Sequence, residues 1–433
     1  MFKKSKMLYK YTLKDSKTTS PIFLVLTDES GTELVIATPL RALSAKWDHD
    51  KGMPKNMYEK TYKRLNLRLD RIKIGVAEYL REKEQKKQPI SKIAISRLIR
   101  KYAANTDFQY AEGTLLRHLE DYITKRGHFI AANTRSRYMV FLRLLERFEG
   151  YQRKHYLLDD IGSTFVKEFL NFGSNEKYST STIHRTIDFV RTVLNHLEKR
   201  GIRTLSYELE VSKRKSPHQI VTLNEDELIK IRNTVLPDHL NAARDWLVLS
   251  CYLGQRVSDL MRFNIEMLEM LDGLPCLSFV QQKTQKEILL PLHPVALDIL
   301  SKNNQAFPPR LSKQKYNEQI KQVVQLANIN SLVKVRKRKG YRGQEMVIQK
   351  WQAITSHIGR RSFASNFYGK IPTALLMEAT GHSTEQMFNR YISSADTERT
   401  RALMAYFYDD EKAEKSIVGD VISHLTANGF NSR

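Results

Sequence analysis

Between Phe108 and Arg200, apolar side chains recur every three to four residues: Leu115, Leu119 and Tyr122, then Tyr138, Phe141, Leu145 and Phe148, then Phe165 and Phe169, then Ile183, Ile187, Val190 and Leu194. Such spacing lines one side of a helix, so each stretch must bury its apolar face against the others. The segment therefore predicts a bundle of about four helices. Two of the helices begin with capping and charge signals, N-T-R-S-R around Arg135 and Arg137 and S-T-S-T-I-H-R around Arg185. Arginines at helix N-termini suit DNA phosphates.

The pattern differs on either side of this stretch. From Pro21 to Pro39, two runs rich in β-branched residues flank an Asp-Glu-Ser-Gly turn, which reads as a hairpin. A turn-rich loop around Trp47 follows. Leu65, Leu69, Ile72, Val76 and Leu80 then predict a helix from about Met57 to Lys87, and Ile90 to Tyr102 predicts a shorter one. Ala103 to Asp107 reads as a linker, with a boundary near residue 105. The polar, basic, proline-containing segment 211–219 reads as a second linker, able to lie along DNA. From Leu223 helices dominate again, with two interruptions. One is C-L-S-F-V-Q-Q-K-T-Q-K-E-I-L-L-P-L, a strand, a polar turn and a strand, with Lys283 beside the turn. The other, Val333 to Ile348, is strand-like and holds the most basic patch of the chain, including Lys337 and Arg338. No repeat of fixed period is found. The expected fold class is mainly α with small β-sheets: an α+β domain over 1–105, a helical bundle over 106–210, the 211–219 linker, a mixed α+β domain over 220–410 and a tail over 411–433.

Lys and Arg number 71 against 47 acidic residues, a net charge of +24 that calls for a polyanionic partner. A membrane-surface protein or a well-solvated basic enzyme are the alternatives that composition leaves open. The start, M-F-K-K-S-K-M-L-Y-K, runs into polar residues and not into an apolar h-region, and no later apolar run approaches membrane-spanning length. Cys251 and Cys276 lack metal-ligand spacing and have no His cluster beside them, so they read as reduced, packed thiols of a cytoplasmic protein that uses no metal or other cofactor.

Six polar residues of the second half then stand out: Arg256, Lys283, His357, Arg360, His382 and Tyr391. Each has a bland role when taken singly. Arg256 is a solvated helix residue or a partner of Asp259, Lys283 an exposed turn lysine, His357 a structural histidine and Tyr391 a core tyrosine. Together they supply what metal-free phosphodiester cleavage requires: a nucleophile, cations on the nonbridging oxygens, and an acid for the departing oxygen. Tyr391 can attack and store the bond as a phosphotyrosine, so religation needs no ATP. Arg256 and Arg360 present planar forks of donors that stay charged. Lys283 can protonate the leaving 5′ oxygen, His357 can accept the tyrosine proton, and His382 can bond the phosphate, its T-G-H-S turn opening the helix toward the nucleophile.

In the phrases L-G-Q-R-V-S-D-L, Q-Q-K-T-Q-K-E, S-H-I-G-R-R and T-G-H-S-T-E-Q-M-F-N-R-Y, the chain resembles the tyrosine recombinase family, which includes phage integrases and chromosome-dimer resolvases. The resemblance spans Leu223 to Asp410 and places all six residues at the family's catalytic positions. It departs at Gln255, where a small or apolar residue is more usual, and at Ile358-Gly359, which replace the commoner Asp-Leu. The helical region upstream resembles the family's core-binding domain, which with the catalytic domain clamps DNA. Residues 1–105, with K-W-D at Lys46 to Asp48, resemble the arm-type DNA-binding domain of integrases from conjugative and mobilisable elements.

The resemblance implies a site-specific recombinase working on double-stranded DNA at core sites and arm sites. It implies homotetramers that exchange strands through a 3′-phosphotyrosine and a Holliday junction, a host DNA-bending factor, and a place in the cytoplasm on the nucleoid. Integration or excision of a mobile element such as a transposon is the expected task. An invertase or resolvase of the same family, a type IB topoisomerase, and a catalytically silent DNA-bridging protein are the rival expectations. The tail after Tyr391, beginning R-T-R-A-L-M-A-Y-F-Y, is expected to be helical and to pack on its own domain or on a neighbouring protomer.

Overall fold

The computed structural model describes residues 7–13, 19–55, 59–104, 109–211, 220–339 and 342–392. Most of the 211–219 linker and the whole 411–433 tail lie outside the described residues, as does the helix expected just after Tyr391. The chain forms two compact units, one holding Met1–Lys215 and the other built mainly from Ser216 onward.

The first unit opens with an antiparallel sheet of β1 (Leu8–Leu13), β2 (Thr19–Thr27) and β3 (Glu33–Leu43), in that order. The hairpin expected from Pro21 is β2 with β3. Its turn is held by Asp28, whose Oδ1 accepts the Ser30 and Thr32 amides, each at 2.9 Å. β1 is an extra strand within the basic start of the chain. Tyr11 and Leu13 point into the core opposite Leu24 and Ile22, while Lys10 stays exposed. The loop around Trp47 is a short hairpin of β4 (Trp47–Asp48) and β5 (Met53–Pro54) that buries the indole completely.

α1 (Lys60–Gln85) and α2 (Lys92–Ala103) cover the sheet, packing Ile72, Val76, Ile95 and Ile99 against Ile22, Leu24 and Ile36. The bundle consists of α3 (Leu115–Lys125), α4 (Ala132–Gln152), α5 (Ser163–Asn175) and α6 (Thr180–Glu198). Its centre is aromatic: Phe148 lies 5.0–5.7 Å from the rings of Tyr156, Phe165, Phe169 and Phe172. Ser179 caps α6, accepting the Thr182 amide. α4 differs from expectation, because it starts at Ala132 with no side-chain cap and carries N-T-R-S-R inside its first turns.

The sheet domain and the bundle meet along α1 and α4. Arg147 of α4 grips both carboxylate oxygens of Asp70 of α1, at 2.6 and 2.7 Å, with both side chains buried. The helices approach so closely that a Cβ on Gly150 would lie 2.3 Å from that of Asp70. Beside this pair, buried Glu146 faces Arg71 at 3.4 Å. Residues on both sides of position 105 thus share one compact unit.

The second unit runs α7 (Glu225–Asn233), α8 (Asp238–Leu253), α9 (Val257–Leu260), β6 (Leu268–Leu271), β7 (Leu274–Val280), β8 (Glu287–Pro291), α10 (Pro294–Lys302), α11 (Lys313–Leu326), β9 (Leu332–Lys339), β10 (Arg342–Gln349), α12 (Lys350–Ala353), α13 (Ile358–Phe367), α14 (Thr373–Thr380) and α15 (Glu385–Phe388). β6, β7 and β8 form an antiparallel sheet, and β9 pairs with β10. α8 is buried on every side from Asp245 to Leu253 and becomes the axis on which α7, α10, α11 and α13 pack. Gly359 lets α13 come close to it, since a Cβ there would lie 1.9 Å from the Ser250 hydroxyl. Gly359 is thus a packing requirement of this chain. No described helix is long and apolar enough to cross a membrane.

Removing one partner of a buried ion pair leaves the other charge stranded. Asp70→Ala is expected to destabilise the first unit by about 3–5 kcal/mol, and a joint Asp70→Ala/Arg147→Met change by much less. Urea unfolding midpoints of the two variants check this ordering.

Candidate active site

Three segments of the second unit converge at the end of α8. The helix stops because Gly254 adopts the left-handed conformation, φ 68°, beneath the ring of Phe363. Two residues later Arg256 begins α9. The turn between β7 and β8 brings Gln281 and Lys283. The end of α14 brings His382 and, past α15, Tyr391 in a 3-10 turn.

Arg360, on α13, is the centre of the group. Its side chain is 1% exposed, one Nη donates to the Gly254 carbonyl at 3.0 Å, and the other meets Nε2 of His382 at 2.9 Å. The guanidinium lies 5.5 Å from the centre of the Tyr391 ring, and the His382 ring lies 4.9 Å from it. The Nε–H of Arg360 has no partner among the described residues. Burial and then the nearby Arg256 lower the guanidinium's pKa, with Tyr391 acting in the opposite sense, and the group remains charged at neutral pH.

An arginine only donates, so Nε2 of His382 must accept, and the ring proton sits on Nδ1. There it faces the Thr380 hydroxyl at 2.8 Å, which in turn donates to the Leu376 carbonyl at 2.6 Å. Burial, then Arg360, Arg256 and Lys286, push the His382 imidazole down to about 3. The T-G-H-S segment closes α14 and does not open the next helix. Gly381 is left-handed at φ 69°, the His382 amide returns to the Met377 carbonyl at 2.9 Å, and Thr384 caps α15. Tyr391 is tied back to α13 by the Ser365 hydroxyl, which donates to its carbonyl at 3.2 Å.

The structure thus brings Arg256, Arg360, His382 and Tyr391 together, while the other two candidates stand apart from this contact set. Lys283 is exposed on the β7–β8 turn and makes no hydrogen bond to a described residue. His357 is exposed at the start of α13; desolvation of its ring, then Arg361, Lys313, Arg360 and Arg256, lower its pKa. Of the candidate DNA contacts, Arg135, Arg137, Arg185 and Lys337 are exposed. Arg338 lies in β9, and its side chain is outside the described residues. Among the described residues, no group of three or more His, Cys, Asp or Glu could hold a metal ion.

Three residues of the site, Gln281, Thr380 and Asp259, are not candidates in the sequence; with Gln255 they are buried polar side chains within or beside the quoted phrases. Asp259 does not pair with Arg256: its Oδ1 accepts the Gln282 amide at 2.8 Å. The available signal was Gln255, a polar residue where an apolar one is usual.

The sequence profile of the Phage integrase family matches residues 218–398, which include all six candidates, and that of the Phage integrase SAM-like domain matches residues 114–210. The chain belongs to the phage integrase family. It is therefore a tyrosine site-specific recombinase by class. No curated protein sequence matches it. Among solved structures, the integrase of transposon Tn1549 in complex with a circular intermediate DNA aligns at TM-score 0.50 and 14% identity, over 68% of this chain and 100% of that one. A lambda integrase dimer bound to a COC′ core site aligns at 0.48 and 17%, over 88% and 94%. XerH recombinase bound to difH aligns at 0.49 and 14%, over 79% and 96%. At 14% identity, the Tn1549 likeness is one of fold.

A histidine held at about 3 in the folded chain, against an ordinary value near 6.5, binds its proton more readily in the unfolded chain. Stability from this group is full above the unfolded value and is lost as pH falls from there toward the folded value. His382→Gln is expected to flatten the decline in urea midpoint between about pH 6.5 and pH 3.

Proposed function

We propose that Tyr391 is the nucleophile, that Arg256, Arg360 and His382 hold the scissile phosphate, that Lys283 protonates the leaving 5′ oxygen, and that His357 takes the tyrosine proton. The observation that carries this reading is the buried Arg360, set over the Tyr391 ring and, among the described residues, bonded only to neutral groups and keeping an unused Nε–H donor. A buried donor without a partner is costly, and a phosphate oxygen is an acceptor of matching charge.

Attack of the Tyr391 oxygen on phosphorus forms a 3′-phosphotyrosine and breaks the bond to the 5′ oxygen, which leaves with the Lys283 proton. Attack by a 5′-hydroxyl of the partner duplex reverses these steps on the new strand. His382 is neutral until an anion offsets Arg256 and Arg360; a bound phosphodiester supplies that charge and favours the imidazole as a donor. Lys283, on an exposed turn, is free to follow the leaving oxygen.

The task is integration or excision of a mobile element, by four copies of the chain acting on two duplexes through a Holliday junction, on the nucleoid and with a host DNA-bending factor. Residues 106–210 and 220–410 act at the crossover site, with Arg135, Arg137, Arg185, Lys337 and Arg338 against the backbone, and residues 1–105 bind arm sites. Support comes from the +24 charge and from the exposed Lys10 and Arg41 on the outer face of the N-terminal sheet.

Tyr391→Phe is expected to abolish covalent trapping on a nicked suicide substrate while leaving DNA affinity unchanged in a gel-shift titration. An adduct formed by this variant would overturn the assignment. For the arm-binding role, the joint Lys10→Glu/Arg41→Glu change is expected to reduce integration between two DNA sites while leaving cleavage of an isolated crossover site intact. Undiminished integration would refute that role.

A further inference from the structure

Gln281 is fully buried, and its side-chain amide uses its whole hydrogen-bonding capacity. The oxygen accepts from Nη1 of Arg256 at 2.9 Å and from the Thr284 hydroxyl at 2.6 Å. The nitrogen donates to the Gln255 side-chain oxygen at 3.1 Å and to the Thr380 carbonyl at 3.0 Å. The orientation is unambiguous, because Arg256 can only donate. Gln255, 1% exposed, continues the chain by donating to the Leu253 carbonyl at 2.8 Å and the Ala379 carbonyl at 2.7 Å.

These bonds join three of the four segments that carry candidate groups, α13 being the fourth. Leu253 and Arg256 belong to the turn after α8, Thr284 neighbours Lys283 on the β7–β8 turn, and Ala379 and Thr380 end α14 just before His382. Gly381 closes the arrangement, since a Cβ there would lie 2.4 Å from the Gln281 side-chain oxygen. Arg256 has no other described hydrogen bond from its side chain, so the direction of its guanidinium depends on this one amide. A carboxylate in the same place would bind Arg256 as an ion pair and compete with an incoming phosphate. A neutral amide aims the guanidinium and leaves its charge available.

We propose that Gln281, braced by Gln255, is a positioning residue that aims Arg256 at the scissile phosphate and keeps the Lys283 turn and His382 in register with it. This rests on the recombinase reading above. Gln281→Met keeps the side chain's length but removes the amide, and it is expected to slow covalent trapping on a nicked suicide substrate by about a hundredfold, as a misaimed catalytic group does. DNA affinity should stay at the wild-type value. On a substrate with a methylphosphonate at the scissile position, which lacks the negative charge Arg256 meets, the defect should shrink at least several-fold. Thr284→Val, which removes only one of the bonds from an exposed position, is expected to show the same contrast at smaller size, and it carries the test if Gln281→Met does not fold.

Trapping by both variants at the wild-type rate, or a defect equal on the two substrates, would overturn the positioning role and leave the recombinase reading standing. A wild-type protein that forms no adduct would overturn both.

Discussion

The second unit is organised around one buried cation. Removing a guanidinium from water costs several kcal/mol unless a carboxylate or a full set of acceptors compensates. Arg360 is 1% exposed and no carboxylate bonds it among the described residues: it bonds a backbone carbonyl and an imidazole, a phenol ring lies within cation–π range, and buried Asp259 acts on it only through space. The fold holds it there by packing α13 on α8, which Gly359 permits, and by ending α8 at Gly254 so that a carbonyl faces the charge. A positive charge held this way has its best partner in an anion from outside, and a DNA phosphate is the anion the chain's overall charge attracts.

The site divides into a fixed part and an exposed part. Arg256, Arg360 and His382 are held by buried bonds through Gln281, Gly254 and Thr380. Lys283 and His357, the residues assigned proton transfer, sit on exposed positions at the ends of elements. Phosphate recognition rewards preorganisation, because donors aimed in advance need no rearrangement during reaction. Proton transfer to a leaving strand instead requires a group that can travel with it. The first unit is tied together differently: the Asp70–Arg147 pair and the close approach at Gly150 join its sheet and helices to its bundle.

The elements legible in the sequence were those with long, repeated periodicity. Phe141, Leu145 and Phe148 marked α4, and Ile183, Ile187 and Val190 marked α6, because three- and four-residue spacing kept over several turns fits a helix and not a strand. β1 and β6 were missed because six and four residues carry too few alternations to stand out. The direction of the T-G-H-S turn was misread. Glycine punctuates a helix end as readily as a loop before a helix, and only the backbone bond from His382 to Met377 shows which applies.

Sequence alone determined the inventory: a basic chain, helical stretches, small sheets, and six residues whose order matched a tyrosine recombinase. Side-chain chemistry and periodicity are local properties, and they survive without coordinates. Only the tertiary structure decided which of those residues touch and what holds them. Arg360 meets Tyr391 across 31 positions, and Gln281 meets Arg256 across 25 and Thr380 across 99. Such bonds leave no periodic trace, since a buried glutamine looks in sequence like any polar residue of a turn. Its importance arises from burial, which makes an ordinary amide the one hydrogen-bond partner of the Arg256 side chain among the described residues.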